Sequence, residues 1–169
     1  MENPQVLIIM GSDSDVPIME EAAKVLNEFG VAWEMRIASA HRSPKKAAAL
    51  ASGAAGRGVK AIIAGAGVAA HLAGVLAAET ILPVIAVPMP GGALNGVDAL
   101  YSMVQMPGGI PVATMAIGKP GAKNAGLFAI QIIAIGDESL ARKLREYKER
   151  MAEEVEAKDR ALQESRAKG

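Results

Sequence analysis

This chain of 169 residues has no cysteine and only two histidines. The first absence removes disulfides, thiol nucleophiles and thiolate-ligated zinc or iron–sulfur sites. The second argues against a metal cage built on imidazoles, and no metal is expected. Aromatic residues make up only 3% of the chain, although 51% of it is apolar. Ala, Val, Ile, Leu and Met must then fill the core, which suits closely apposed helices and sheet. An excess of one charge is missing too, because 18 Lys and Arg balance 18 Asp and Glu. That balance favours neither nucleic acid nor an anionic membrane as partner. The start, MENPQVLIIM, lacks the basic residues and cleavage site of a signal peptide, so a cytoplasmic protein is expected. One long apolar run exists, AIIAGAGVAAHLAGVLAA over 61–78, but it is rich in Gly and Ala and carries His71. It divides into a strand, a glycine loop and a helix, so no membrane span is expected.

Short apolar runs alternate with helical patterns. Strands are expected over 6–10, 32–38, 61–65, 83–87 and 111–117, and helices over 15–29, 44–56, 67–79, 96–105 and 121–135. Strict βα alternation predicts a parallel sheet with helices on both faces. Residues 137–169 differ, holding 18 of the 36 charged residues, nine of each sign. Leu140, Leu144, Tyr147, Met151, Val155 and Leu162 nevertheless form a stripe at helical spacing. The chain therefore divides into an α/β domain over 1–136 and an amphipathic helix over 137–169. That helix could pack on its own domain or reach a neighbouring subunit, and because it is longer than one sheet needs, the neighbour is expected.

In open α/β sheets ligands bind beyond the C-terminal strand ends, and three consecutive strand ends carry polar residues here. Gly11-Ser-Asp-Ser-Asp15 follows the first strand, with Asp15 as helix N-cap ahead of Pro17. Its hydroxyls and free N–H groups suit a phosphate and its carboxylates a ribose, although capping alone also explains the pattern. Ser39-Ala-His-Arg-Ser-Pro44 follows the second strand, with Ser43 as N-cap and Lys45 and Lys46 in the first turn. Arg42 could grip a phosphate with two hydrogen bonds. His41 beside it is of the residue type that moves protons near neutrality, or else it bonds a loop. Gly65-Ala-Gly-Val-Ala-Ala-His71 follows the third strand. Its spacing resembles a dinucleotide loop, but the next strand ends VIAVPMP without the acid that a ribose would need. No cofactor is expected. Gly65 and Gly67 would let backbone N–H groups approach a small flat or anionic group, and His71 reads either as ligand-facing or as a core histidine. Two Pro/Gly-rich loops, 88–96 and 105–109, could form walls or a lid.

Taken in order, GSDSD, SAHR, GAG-x-AAHL, ALNGVDALYSMVQMP, GIPVATMAIG and KNAGL span nearly all of residues 6–136. They resemble the phosphoribosylaminoimidazole carboxylase catalytic-subunit family, in its mutase branch. The resemblance implies a flavodoxin-like three-layer α/β/α sandwich and a homo-octamer with sites between subunits. It implies transfer of a carboxylate from the exocyclic nitrogen of a carboxyaminoimidazole ribonucleotide to ring carbon C4, with neither metal nor cofactor. By the same resemblance Ser12, Ser39 and Arg42 would hold the 5′-phosphate, and Asp15 would bind or adjoin the ribose. His41 would be the general acid and base. Gly65, Ala66, Gly67 and His71 would surround the imidazole. Arg42 points to the mutase branch, since the direct carboxylases tend to have lysine there. The chain departs from the family's pattern at Val68, usually glycine, at Ala73, usually proline, and at Pro90-Gly91, usually a more polar pair. A direct carboxylase and a non-catalytic nucleotide-binding protein remain the rival readings.

Overall fold

A computed structural model describes residues 3–167. The strands are β1 (Val6–Met10), β2 (Trp33–Ile37), β3 (Ala61–Ala66), β4 (Val84–Pro88) and β5 (Ala113–Thr114). Between and after them run α1 (Val16–Phe29), α2 (Pro44–Ser52), α3 (Leu72–Ala78), α4 (Val97–Val104), α5 (Lys119–Ala134) and α6 (Glu138–Ala167). All pairings are parallel in the order β2-β1-β3-β4-β5, with Val6 level with both Trp33 and Ala61. This is the flavodoxin-like order, with helices on both faces of the sheet and its topological switch point between β1 and β3. The expected architecture is the one found.

Every residue of β1, β3 and β4 is buried. That is why these strands read as unbroken apolar runs rather than alternating ones. Ala47, Ala51, Ala54, Ala73 and Ala99 pack into the same core as Leu7, Ile62 and Met103. Small helical side chains let helices lie close on the sheet, so few aromatic rings are needed. On α5, a Cβ added at Gly126 would sit 3.0 Å from the carbonyl oxygen of Ala22, which places α5 almost against the α1 backbone.

Three elements differ from expectation. Helix α3 begins at Leu72 rather than 67, because the backbone at Val68 is left-handed (φ 55°) and cannot continue a right-handed turn. Helix α2 ends at Ser52, where the chain reaches Gly53 and then turns through a short 3-10 segment, Ala55–Arg57. Strand β5 keeps only two residues, since Pro111 has no N–H to pair and Gly118 already turns the chain (φ 76°).

Residues up to 132 form one compact unit and those from 133 onward a second. Helix α6, in the second, starts on an Asp137 carboxylate that accepts from the Leu140 N–H at 3.1 Å. Leu140 and Tyr147 are buried, whereas Met151, Val155 and Leu162 are exposed. The apolar stripe is thus covered along its first half and open along its second. Among the described residues no helix is long and apolar enough to cross a membrane.

Candidate active site

The three strand ends converge at the switch point. A cavity of about 430 Å³ lies there, lined by Gly11, Ser12, Ser14 and Asp15 after β1, and by Ser39 to Arg42 after β2. Ala66 to Ala69, His71 and Leu72 close it from the β3 side. Ser12, Asp15, Ser39, His41, Arg42, Ala66, Gly67 and His71, each expected from sequence, therefore share one space. Gly65 does not line it. A Cβ there would lie 2.7 Å from the Met19 sulfur and 2.9 Å from the Met89 methyl, so this glycine serves the packing beneath the floor.

After β1 the chain makes a 3-10 turn, Asp13–Asp15, before α1. The Ser12 hydroxyl caps that turn, accepting from the Ser14 N–H at 3.3 Å and from the Ser14 hydroxyl at 2.9 Å. Asp15 precedes α1 as expected but makes no side-chain cap bond, which leaves its carboxylate for other work. Partial burial raises its pKa, hydrogen bonds from the Ser12 backbone and the Ser14 hydroxyl oppose the rise, and the Asp13 charge adds to it. A partly buried carboxylate on a cavity wall costs stability unless further donors reach it, so Asp15 suits a ligand that brings hydroxyl groups.

The loop after β2 is tied by serines. Ser43 stands at the N-cap of α2 without capping it. Its hydroxyl instead accepts from the Ser39 N–H at 2.9 Å and reaches the Ser39 carbonyl at 3.2 Å, while the Ser39 hydroxyl accepts from the Arg42 N–H at 3.1 Å. Residues 39–43 are closed into a small loop that fixes His41 and Arg42 on the rim. Both are exposed. Arg42 with Lys45 and Lys46 makes the start of α2 positive, and Arg42 shares the cavity wall with Asp15.

The two histidines of the chain meet here. His41 Nε2 and His71 Nδ1 are 2.7 Å apart, with the rings at 89° and their centroids separated by 4.9 Å. One nitrogen donates and the other accepts, so the pair holds a single proton between these two atoms. His71 is neither a core residue nor inside a helix. It is exposed at the N-cap of α3. Spacing along the chain could not have revealed the pair, because thirty residues separate its members. Ser14 and Val68, both noted from sequence, also line the cavity, as does Ala69, which was not singled out. Among the described residues no three His, Asp or Glu side chains converge as a metal site.

Comparison with known proteins places the chain in a family. Residues 5–154 match the family model described as AIR carboxylase. An N5-carboxyaminoimidazole ribonucleotide mutase of Thermotoga maritima is 54% identical over 161 residues, covering 95% of this chain and 93% of that protein. One from Pyrococcus horikoshii is 55% identical over 163 residues, covering 96% and 91%. The crystal structure of Treponema denticola PurE superposes with a TM-score of 0.85 at 32% identity, over 94% of this chain and 98% of that one.

Proposed function

The chain belongs to the AIR carboxylase family, and on that premise we propose that it is an isomerase converting N5-carboxyaminoimidazole ribonucleotide to 4-carboxy-5-aminoimidazole ribonucleotide in purine biosynthesis. The observation that carries this reading is the gathering of a proton carrier, a cationic rim and a half-desolvated carboxylate around one cavity. Ser12, Ser39 and Arg42 hold the 5′-phosphate, at the positive start of α2. Asp15 faces the ribose. Ala66, Gly67 and His71 then border the imidazole, which brings the ring to His41.

The reaction needs one proton in each direction. Breaking the bond from the exocyclic nitrogen to the carboxylate releases CO₂, and His41 delivers a proton to that nitrogen. Carbon C4 then attacks the CO₂, and His41 takes the C4 proton as the ring regains aromaticity. The histidine ends in its starting state, with no net consumption of protons. His71, hydrogen-bonded to His41, contributes to the wall around the ring. Free CO₂ must not escape between the steps, and a small apolar pocket lined by Gly and Ala suits that need.

The protein works as an assembly of identical subunits in the cytoplasm, an octamer by resemblance. Two open apolar surfaces support association: Val97, Tyr101 and Val104 along one face of α4, and Met151, Val155 and Leu162 on α6. The α6 surface fits the idea that this helix packs on a neighbour, with 137–169 as a segment apart from the catalytic domain.

A paired ultraviolet assay tests the function. One cell offers the N5-carboxy ribonucleotide, the other aminoimidazole ribonucleotide with bicarbonate. Rapid conversion in the first cell alone is expected. Turnover in the second at low bicarbonate would make the protein a direct carboxylase instead.

A further inference from the structure

Imidazole and thiolate are the side-chain ligands that Zn²⁺ and similar borderline cations favour. The chain has no cysteine and two histidines, so His41 and His71 are its whole supply of such groups. The fold brings the two together, with His41 Nε2 and His71 Nδ1 2.7 Å apart. Each is fixed at the backbone and open at the ring. His41 lies in the loop closed by Ser39 and Ser43. The His71 N–H donates to the Ala69 carbonyl at 2.9 Å, and its own carbonyl accepts from the Val75 N–H at 3.0 Å. Both residues are exposed.

Two ring nitrogens this close share one proton, and a divalent cation can take its place. With Zn–N bonds of about 2.0–2.1 Å at a tetrahedral angle, two ligating nitrogens stand about 3.3 Å apart. That is about 0.6 Å wider than the separation found, an opening that small rotations of two exposed rings supply. The cavity of about 430 Å³ that both histidines line has room for water in the remaining coordination positions. Of the other charged side chains on its walls, Asp15 favours a cation there and Arg42 opposes it.

We propose that His41 and His71 form a two-imidazole clamp for Zn²⁺ or a similar borderline cation, and that the bound ion shuts the cavity down. On binding, the proton between the rings moves to the other nitrogen of its own ring. Two nitrogen–metal bonds form, and the ion gives up two of its waters. The cation is an inhibitor taken from solution, completed by water, and no part of the reaction. A ligated His41 is held by one nitrogen and shares the cavity with the ion and its waters, which leaves no room for the ribonucleotide. Hard cations such as Mg²⁺ favour oxygen ligands and do not suit the clamp. The inhibition rests on the role proposed for His41, whereas the binding does not.

The test is calorimetric titration of untagged, chelator-treated protein with ZnCl₂ and, separately, with MgCl₂. Saturable binding of one Zn²⁺ per chain is expected, with Mg²⁺ unable to displace it. His41→Asn and His71→Asn should each weaken Zn²⁺ binding by about tenfold or more, the least that loss of even an outer-shell partner costs. Co²⁺ supplies a second readout. The wild type should develop the visible absorption of nitrogen-ligated Co²⁺, and both variants should lose it. Turnover of the N5-carboxy ribonucleotide should fall as Zn²⁺ fills the site, at the concentrations that the titration gives, and should return with a chelator. Equal Zn²⁺ binding by wild type and both variants would overturn the proposal and put the ion on surface carboxylates. Binding that needs both histidines yet leaves turnover untouched would overturn the inhibition. A wild type without mutase turnover whose Zn²⁺ still depends on both histidines would keep the clamp and defeat the functional reading.

Discussion

One end of the sheet, beyond β1, β2 and β3, holds a cavity of about 430 Å³ with Ser12, Asp15, Ser39, His41, Arg42 and His71 on its walls. Near the start of β4 there is a larger hollow of about 690 Å³, lined by Leu82, Ile110, Phe128 and Ile132 among others, without one ionisable side chain. The larger hollow is not the one equipped for chemistry. Chain direction decides this. In a parallel sheet every strand ends at the same edge, and each following helix begins there with unpaired N–H groups. Serines, acids and histidines that turn the chain from strand to helix gather at that edge, while the opposite edge is left to aliphatic packing. Substitutions at the first edge should therefore change turnover and affinity, and those at the second should change stability.

The largest effect is expected from His41→Asn. Turnover of the N5-carboxy ribonucleotide should fall by roughly 10² or more, the scale of a lost general acid–base group, while affinity stays within a few-fold by calorimetric titration. Parallel loss of binding and turnover would make His41 a structural residue and blur the contrast between the two ends. Next comes Arg42→Ala, which removes charge-assisted bonds to the phosphate. KM should rise by about 10- to 100-fold with a smaller change in kcat, measured by steady-state kinetics. At the other edge, Phe128→Ala should lower unfolding free energy by about 1–3 kcal/mol in denaturant titration. Its kcat should remain within twofold by the order-of-magnitude separation of distant sites.

Asp15→Asn is the smallest and sharpest case, because it sets function against stability at one residue. Burial raises the carboxyl pKa in the folded chain, so the fold favours the protonated form. Any stability tied to that proton is fully present below the ordinary carboxylate pKa and is lost as pH rises through the raised value. The neutral amide should thus melt at a slightly higher temperature than wild type at pH 7. That advantage should vanish near pH 3, and KM should rise at neutral pH. A variant less stable at pH 7 would show that the carboxylate is structural.

Much of this contrast was legible beforehand. Buried parallel strands leave unbroken apolar runs, and each run ending in Ser, Asp, His or Gly marked an edge where ligands bind. Local rules did less well wherever two distant segments decide the outcome. Ser43 looked like a helix cap, but the returning Ser39 backbone claims its hydroxyl. Gly65 looked like a ligand-contacting glycine, yet Met19 and Met89 fill the space in front of it. The helix expected from 67 starts five residues later, because Val68 takes a left-handed backbone conformation that propensity disfavours. The contact between His41 and His71 follows from the β1–β3 switch point, which strand order creates and spacing does not record.

The most direct test is the structure of the protein bound to aminoimidazole ribonucleotide, the intermediate whose C4 still carries a proton. The account predicts the phosphate among Ser12, Ser39 and Arg42, with ring carbon C4 turned toward His41 so that its proton comes within hydrogen-bond reach of the imidazole, about 3 Å between heavy atoms. A ribonucleotide seated in the hollow at the start of β4, or one whose imidazole faces away from His41, would contradict it.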